Sequence, residues 1–289
     1  MKTLLGLLLL LVAQPAAAWD QYRTLPPGDN GEPRGCGIRW AANEVPLALE
    51  ATPLDGLVTV DIQAIAAASG ATWQNVRCGL CQVCQNGQEA PQACALNPLG
   101  LQLRWLPRGK PTVIGATCTS VKSNGLCDTV SGNGNWVNIV HDKEVWQAQG
   151  VSSLVVALTV LTYDRTAGEI RDADVLLDDW GHDFCVAPDC TSGEYDLQST
   201  LTHEFGHVLG LDHTTDLEAT MYVGADPKES KKQTLNDDDI SGICHAYRTT
   251  CYACTDAPAP SGCQAGSMGN GWSLLLLALV WARIRRARN

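Results

Sequence analysis

The sequence predicts an α/β (α+β) fold: a twisted mixed β-sheet, a helix backing it, a histidine-bearing helix and a C-terminal helix. Three observations carry that expectation. Ile38–Glu50 has apolar residues in a strand-like arrangement, and Val58–Gln74 is a helical stretch containing Ile62, Ile65, Ala66 and Trp73. Asn135–Val140, Leu154–Tyr163 and Glu169–Leu177 read as further strands, the middle one apolar on both faces as in a buried sheet member. Thr202–His213 then reads T-H-E-F-G-H-V-L-G-L-D-H, a helical run that Gly210 ends.

Composition bounds the rest. A chain of 289 residues, 45% hydrophobic, has room for one sizeable core, so one domain with processed ends is expected. Thirteen cysteines point to an oxidising compartment. A formal charge of −11 repels nucleic acid and suits a soluble extracellular protein or one that binds calcium. A monomer is expected.

At the start, Lys2, the short apolar stretch Leu4–Val12 and Ala16-Ala17-Ala18 make residues 1–18 a signal peptide, too short to be a spanning helix. The Pro- and Gly-rich residues 19–35 read as an extended lead-in, and the main domain is expected at 36–254. Within it, residues 76–95 form an insertion holding Cys78, Cys81, Cys84 and Cys94. Two overlapping C-x-x-C steps suit zinc, an iron–sulfur cluster or a redox pair; in an exported chain, disulfides that stiffen a loop are the expectation. Cys118 and Cys127 flank the turn signal Ser123-Asn124-Gly125 and look like a hairpin staple. Asp172, Asp174, Asp178, Asp179 and Asp183 crowd the third of the later strands and the loop beyond it. That density of hard oxygen ligands reads equally as a calcium site or as a solvated acidic face.

The run from Thr202 to His213 carries the chemistry. His203 and His207 are four apart, so on a helix they share a face and offer two imidazole nitrogens to one metal, with Glu204 beside it as a base. Gly210 lets the chain turn so that His213 returns as a third ligand, leaving zinc one open position for water. This run resembles the long zinc motif of the metzincin metallopeptidases, and its wording resembles the matrixins. Ala219-Thr220-Met221-Tyr222 is similar to the Met-turn under the zinc in that clan, which makes Met221 the active-site floor rather than core filler. Leu235–Ile243 resembles the start of the last matrixin helix, where a pair of acids, here Asp238 and Asp239, ties the helix to that floor. Asp196-Leu197 resembles the family's usual entry to the zinc helix, and Thr214 its small hydroxyl residue after the third ligand. The resemblance is clear from Asp172 to Tyr247 and weaker from Ile38 onward.

The resemblance implies a metzincin, zincin-like fold with one catalytic zinc, and a calcium-stiffened strand region. It also frames several departures. Matrixins are kept latent by a propeptide cysteine in a Pro-Arg-Cys-Gly setting, but here Gly35 interrupts Pro33-Arg34-Gly35-Cys36-Gly37, and a disulfide is the expected state of Cys36. The family's second, structural zinc needs three more histidines, and outside the trio only His141, His182 and His245 remain. Cys185 and Cys190 bracket a short loop instead, where a disulfide fixes what a metal fixes elsewhere. Val223-Gly224-Ala225 replaces the family's proline and second tyrosine, altering the outer wall of the primed-side pocket.

Residues 255–262 read as a Pro/Ala/Ser linker, and 263–289 as a tail in which the apolar run Trp272–Ala282 precedes Arg283, Arg285, Arg286 and Arg288. Gly262-Cys263 before that run resembles the myxobacterial-type C-terminal sorting tail, cut and anchored at the cell surface. A plain membrane anchor places the protein similarly, at the cell surface, at an outer membrane or outside the cell. The function expected is peptide-bond hydrolysis of protein or peptide substrates, with His203, His207 and His213 on zinc and Glu204 as general base. The alternatives are a catalytically silent cell-surface binding protein on the same scaffold, or a working cysteine-rich insertion beside a structural zinc.

Overall fold

The computed structural model describes residues 21–24, 35–57, 61–85, 88–98, 100–109, 117–121, 127–131, 134–164, 167–248 and 275–278. Residues 1–18, the linker 255–262 and Cys263 lie outside the described residues.

In chain order the elements are β1 (Glu44–Leu49), α1 (Ile62–Gln74), β2 (Arg77–Gln85), β3 (Gln88–Pro98), β4 (Gln102–Trp105), β5 (Thr117–Val121) and β6 (Cys127–Ser131). There follow β7 (Trp136–Val140), α2 (Lys143–Gln147), β8 (Ala157–Tyr163), β9 (Ile170–Asp178), β10 (Phe184–Cys185), β11 (Tyr195–Asp196), α3 (Leu197–Val208), α4 (Asp237–Arg248) and β12 (Leu275–Ala278). The main sheet runs β12-β8-β9-β7-β1-β4. Its β4–β1–β7–β9 part is parallel, while β8 pairs antiparallel with β9 and β12 antiparallel with β8. This is the mixed α/β sheet that the strand pattern predicts.

The helices form because their ends are satisfied and their apolar faces have a sheet to cover. Asp61 caps α1 by accepting from Ala64 N at 3.1 Å, and Asp196 caps α3 by accepting from Ser199 N at 2.8 Å. Trp73 of α1 is fully buried, and its Nε1 donates to Thr202 O of α3 at 2.8 Å, so the tryptophan both fills the core and ties the two helices together. With Leu47, Leu49, Ile62, Leu158, Leu161, Leu176 and Phe205 it belongs to one continuous core. Each such side chain stabilises the fold by about 1.5–3 kcal/mol on burial.

The later strands lie where the sequence places them, within a few residues. The first is shorter than expected: β1 begins at Glu44, because Ile38 pairs instead with the lead-in, its N–H donating to Tyr22 O at 2.6 Å. β4 escaped the sequence reading. The cysteine-rich insertion, expected as a loop, is an antiparallel hairpin of β2 on β3, and Thr117–Val121 and Cys127–Ser131 form the expected hairpin. The Cys118–Cys127 staple and the pairings of Cys81, Cys84 and Cys94 concern side chains outside the described ones.

Cys78 corrects the expectation of disulfides within the insertion. It bonds Cys244 of α4, 166 residues away. The expected Cys185–Cys190 bond is present, and Cys36 is disulfide-bonded, so its sulfur is not a free thiolate. Among the described residues no helix is long and apolar enough to cross a membrane.

Candidate active site

The last sheet strands and α3 bring the site together. His203 and His207 lie on one face of α3 and are fully buried. Gly210 has φ +92°, and a Cβ there would stand 2.1 Å from Ile38 O, so both the turn and the close approach require glycine. That turn returns His213 to the helix. Its Nε2 lies 3.3 Å from His203 Nε2 and 3.2 Å from His207 Nε2.

Two of the three tautomers follow from what the other ring nitrogens face. His203 Nδ1 faces Thr220 O at 2.7 Å and His207 Nδ1 faces Leu211 O at 2.8 Å. A carbonyl only accepts, so both Nδ1 atoms carry the proton and both Nε2 atoms present lone pairs. Two such lone pairs, with His213 Nε2 at 3.2–3.3 Å from both, converge as the ligands of a shared cation would. Three nitrogens about 2.0–2.1 Å from one tetrahedral zinc stand about 3.3 Å apart. The donor set therefore fits zinc, and the two carbonyls hold the rings as such ligands require. Burial holds His203 and His207 well below the ordinary histidine range and lowers His213 to about 4, Lys232 adding to the effect on all three, which keeps the imidazoles neutral.

Glu204 is fully buried beside the trio. Its Oε2 accepts from Thr159 Oγ1 of β8 at 2.6 Å, and its Oε1 has no hydrogen-bond partner. Burial pushes the carboxyl up to about 8, against the Thr159 hydrogen bond, which lowers it. Glu204 follows His203 on α3, and its unpartnered buried oxygen is of the kind that can take a proton from a water.

The floor is built from the last helix. Asp239 accepts from Thr220 N at 2.8 Å, from Met221 N at 2.9 Å and from Asn236 N at 2.8 Å. It thereby fixes Met221 and the carbonyl of Thr220 that orients His203. Asp239 makes these bonds, while Asp238 takes its place in the helix start, its N–H donating to Asn236 Oδ1. Gly206 of α3 faces Met221, and a Cβ there would meet Met221 Sδ at 2.2 Å. At the end of α3, Trp40 Nε1 and Tyr247 OH donate to the carbonyls of Val208 and Leu209, which the helix leaves unsatisfied. The Tyr22 ring stacks obliquely on His207 with centroids 5.7 Å apart.

The acids of β9 and the loop after it are mostly buried and hydrogen-bonded. Asp172, Asp174 and Asp178 are fully buried, which rules out a solvated face at those positions. Asp172, Asp174 and Asp178 accept from Gly134 N, Trp136 N and Gly181 N. His182 turns its Nδ1 to Asp178 Oδ2 at 3.0 Å, and His141 its Nδ1 to Asp179 at 2.7 Å. Among the described residues a second group able to gather round a cation is Asp55, His141 and Asp179, whose ligand atoms lie within 4.8 Å of one another.

The three histidines singled out in the sequence are brought together by the fold, with Glu204 beside His203 on the same helix and Met221 packed against Gly206. Sequence reasoning missed Thr159, which no local pattern links to Glu204, and Lys232, a buried cation whose side chain lines the space beside His203.

Residues 133–248, which hold the trio, Glu204 and Met221, match the matrixin family model. Among curated proteins the chain is similar to Metalloendoproteinase 1 of Glycine max, 47% identical over 53 residues, or 18% of this chain and 17% of that protein. Metalloendoproteinase 4-MMP of Arabidopsis thaliana is 43% identical over 70 residues, 24% of this chain and 20% of the relative. Neutrophil collagenase of Homo sapiens is 44% identical over 57 residues, 20% of this chain and 12% of the relative. The matched stretches thus span a fifth or less of these relatives' length.

Proposed function

We propose that the protein is a zinc-dependent endopeptidase with residues 36–254 as its catalytic domain. The observation that carries the reading is the convergence of the Nε2 atoms of His203, His207 and His213, with Glu204, whose Oε1 is unpartnered, lying between the first two on α3. His203, His207 and His213 would hold the zinc. Bound there, the metal supplies a Lewis acid and lowers the pKa of water toward ~7. Glu204 Oε1 accepts the proton of the attacking water and passes it to the leaving amine. Thr159 fixes the carboxylate's other oxygen, so that Oε1 is the one that moves the proton. Met221 and Asp239 hold the floor still beneath the rings.

Export is part of the proposal, supported by the leader-like residues 1–18 and the disulfides. So is anchoring or sorting through residues 263–289.

The test is cleavage of a quenched peptide library by the full-length chain, with and without a zinc chelator, beside Glu204→Gln. Chelator-sensitive cleavage is expected, with a loss of at least about 100-fold in the variant at unchanged zinc content. A variant that cleaves at the wild-type rate would sink the assignment of the base.

A further inference from the structure

The pocket beside the metal site is bounded by Ser199, Thr200, His203, Ala225, Glu229 and Lys232. The pocket borders His203, and Ala225 belongs to the stretch where the sequence departs from the wall expected by resemblance; on the peptidase reading it would take the side chain that follows the scissile bond. Its free volume is only about 10 Å³, on the order of one water. Lys232 is the reason the space is so small. Its backbone lies in the 3₁₀ turn Lys231–Gln233, while its ammonium donates to the carbonyls of Tyr222 and, at 2.6 Å, Gly224. The side chain is thus tethered at both ends, crossing from one wall to the other, and is only 3% exposed.

We infer that Lys232 is a specificity-determining stopper, and that the protein selects a small uncharged residue, glycine, alanine or serine, immediately after the scissile bond. The inference rests on the peptidase reading. A large apolar side chain would have to break both ammonium–carbonyl bonds and lie against the released charge, which a buried cation resists. A lysine or arginine is longer still and finds no more room, although Asp196, Asp226 and Glu229 also line the pocket. A methyl or hydroxymethyl group fits beside Lys232 without moving it.

The experiment compares two fluorogenic peptides that differ only in alanine or leucine after the scissile bond, with the zinc-loaded full-length chain and its Lys232→Ala variant. Taken within one preparation, the ratio of the two kcat/KM values does not depend on the fraction folded. The wild type should favour alanine by about tenfold or more, and the variant should shift that ratio at least tenfold toward leucine. A wild type that prefers leucine, or a ratio unmoved in a folded variant, overturns the stopper. Calorimetric binding of two peptide hydroxamates, one with a methyl and one with an isobutyl side chain, reads the pocket without turnover. Tighter binding of the methyl compound supports the inference even if neither peptide is cleaved, a result that would overturn the peptidase reading alone. Equal or tighter binding of the isobutyl compound overturns the stopper whatever the activity.

Discussion

Thr159 of the antiparallel strand β8 gives its hydroxyl to Glu204 Oε2 at 2.6 Å, joining the sheet directly to the proposed base. This bond leaves Glu204 Oε1 as the only oxygen of that carboxylate without a partner. A hydrogen bond to a charged group is worth about 1.5–3 kcal/mol, so Thr159→Val should lower kcat about 10- to 100-fold. The bond also lowers the Glu204 pKa, so the acid limb of the pH–rate profile should move to higher pH in the variant. Thr159→Ser should restore both. An unshifted acid limb would show that Thr159 acts by packing alone.

Asp239 is the keystone of the floor, since it accepts three backbone N–H groups. Asp239→Ala strands buried donors and should destabilise the fold by about 3 kcal/mol or more, seen as a lower urea midpoint. Because Thr220 O orients His203, zinc affinity should fall about 10- to 100-fold, measured by competition with a chromogenic chelator. Stability lost with zinc affinity intact would separate the floor from the ligand.

Gly206 predicts a compensating pair. Gly206→Ala places a methyl against Met221 Sδ and should cost about 1–3 kcal/mol. Combined with Met221→Ala, the two changes should be less destabilising than their sum. Additivity in the double-mutant cycle would mean that they do not share this space.

Asp172 sets a pH dependence. Its carboxyl is fully buried, with Oδ1 accepting from Gly134 N and Oδ2 unpartnered. Burial raises its pKa from 3.8 to about 6, against the Gly134 hydrogen bond. Since the folded value lies above the unfolded one, its stabilising contribution is whole below about pH 4 and is lost as the pH rises through 6. Asp172→Asn has no such titration. The stability difference between variant and wild type should move by on the order of 2–3 kcal/mol in the variant's favour between pH 4 and pH 8. A flat difference across that range, by denaturant titration, would exclude a raised Asp172.

What the sequence revealed and what it withheld follow from range. His203, Glu204, His207, Gly210 and His213 are legible because helical spacing and one glycine decide their geometry within a dozen residues. Met221 and the acid pair were within reach because they recur at a short distance downstream. The Thr159–Glu204 bond spans 45 residues, and the partner of Cys78 lies 166 away, so neither leaves a local trace. β4 is only four residues long and includes Arg104, too short for alternation to stand out. A solvated face at Asp172, Asp174 and Asp178 fails for a different reason. Composition counts carboxylates but does not say that Gly134, Trp136 and Gly181 supply the N–H groups that occupy them.

The Cys78–Cys244 bond closes the backbone into a ring that contains α3, the three histidines and the floor. Under attack by a peptidase, a nick at an exposed point such as Leu154 or Leu217, 48% and 59% exposed, opens the ring without freeing a piece. Such a nicked molecule should migrate as one species without reductant and as two with it. The covalent closure thus separates integrity of the site from integrity of the chain.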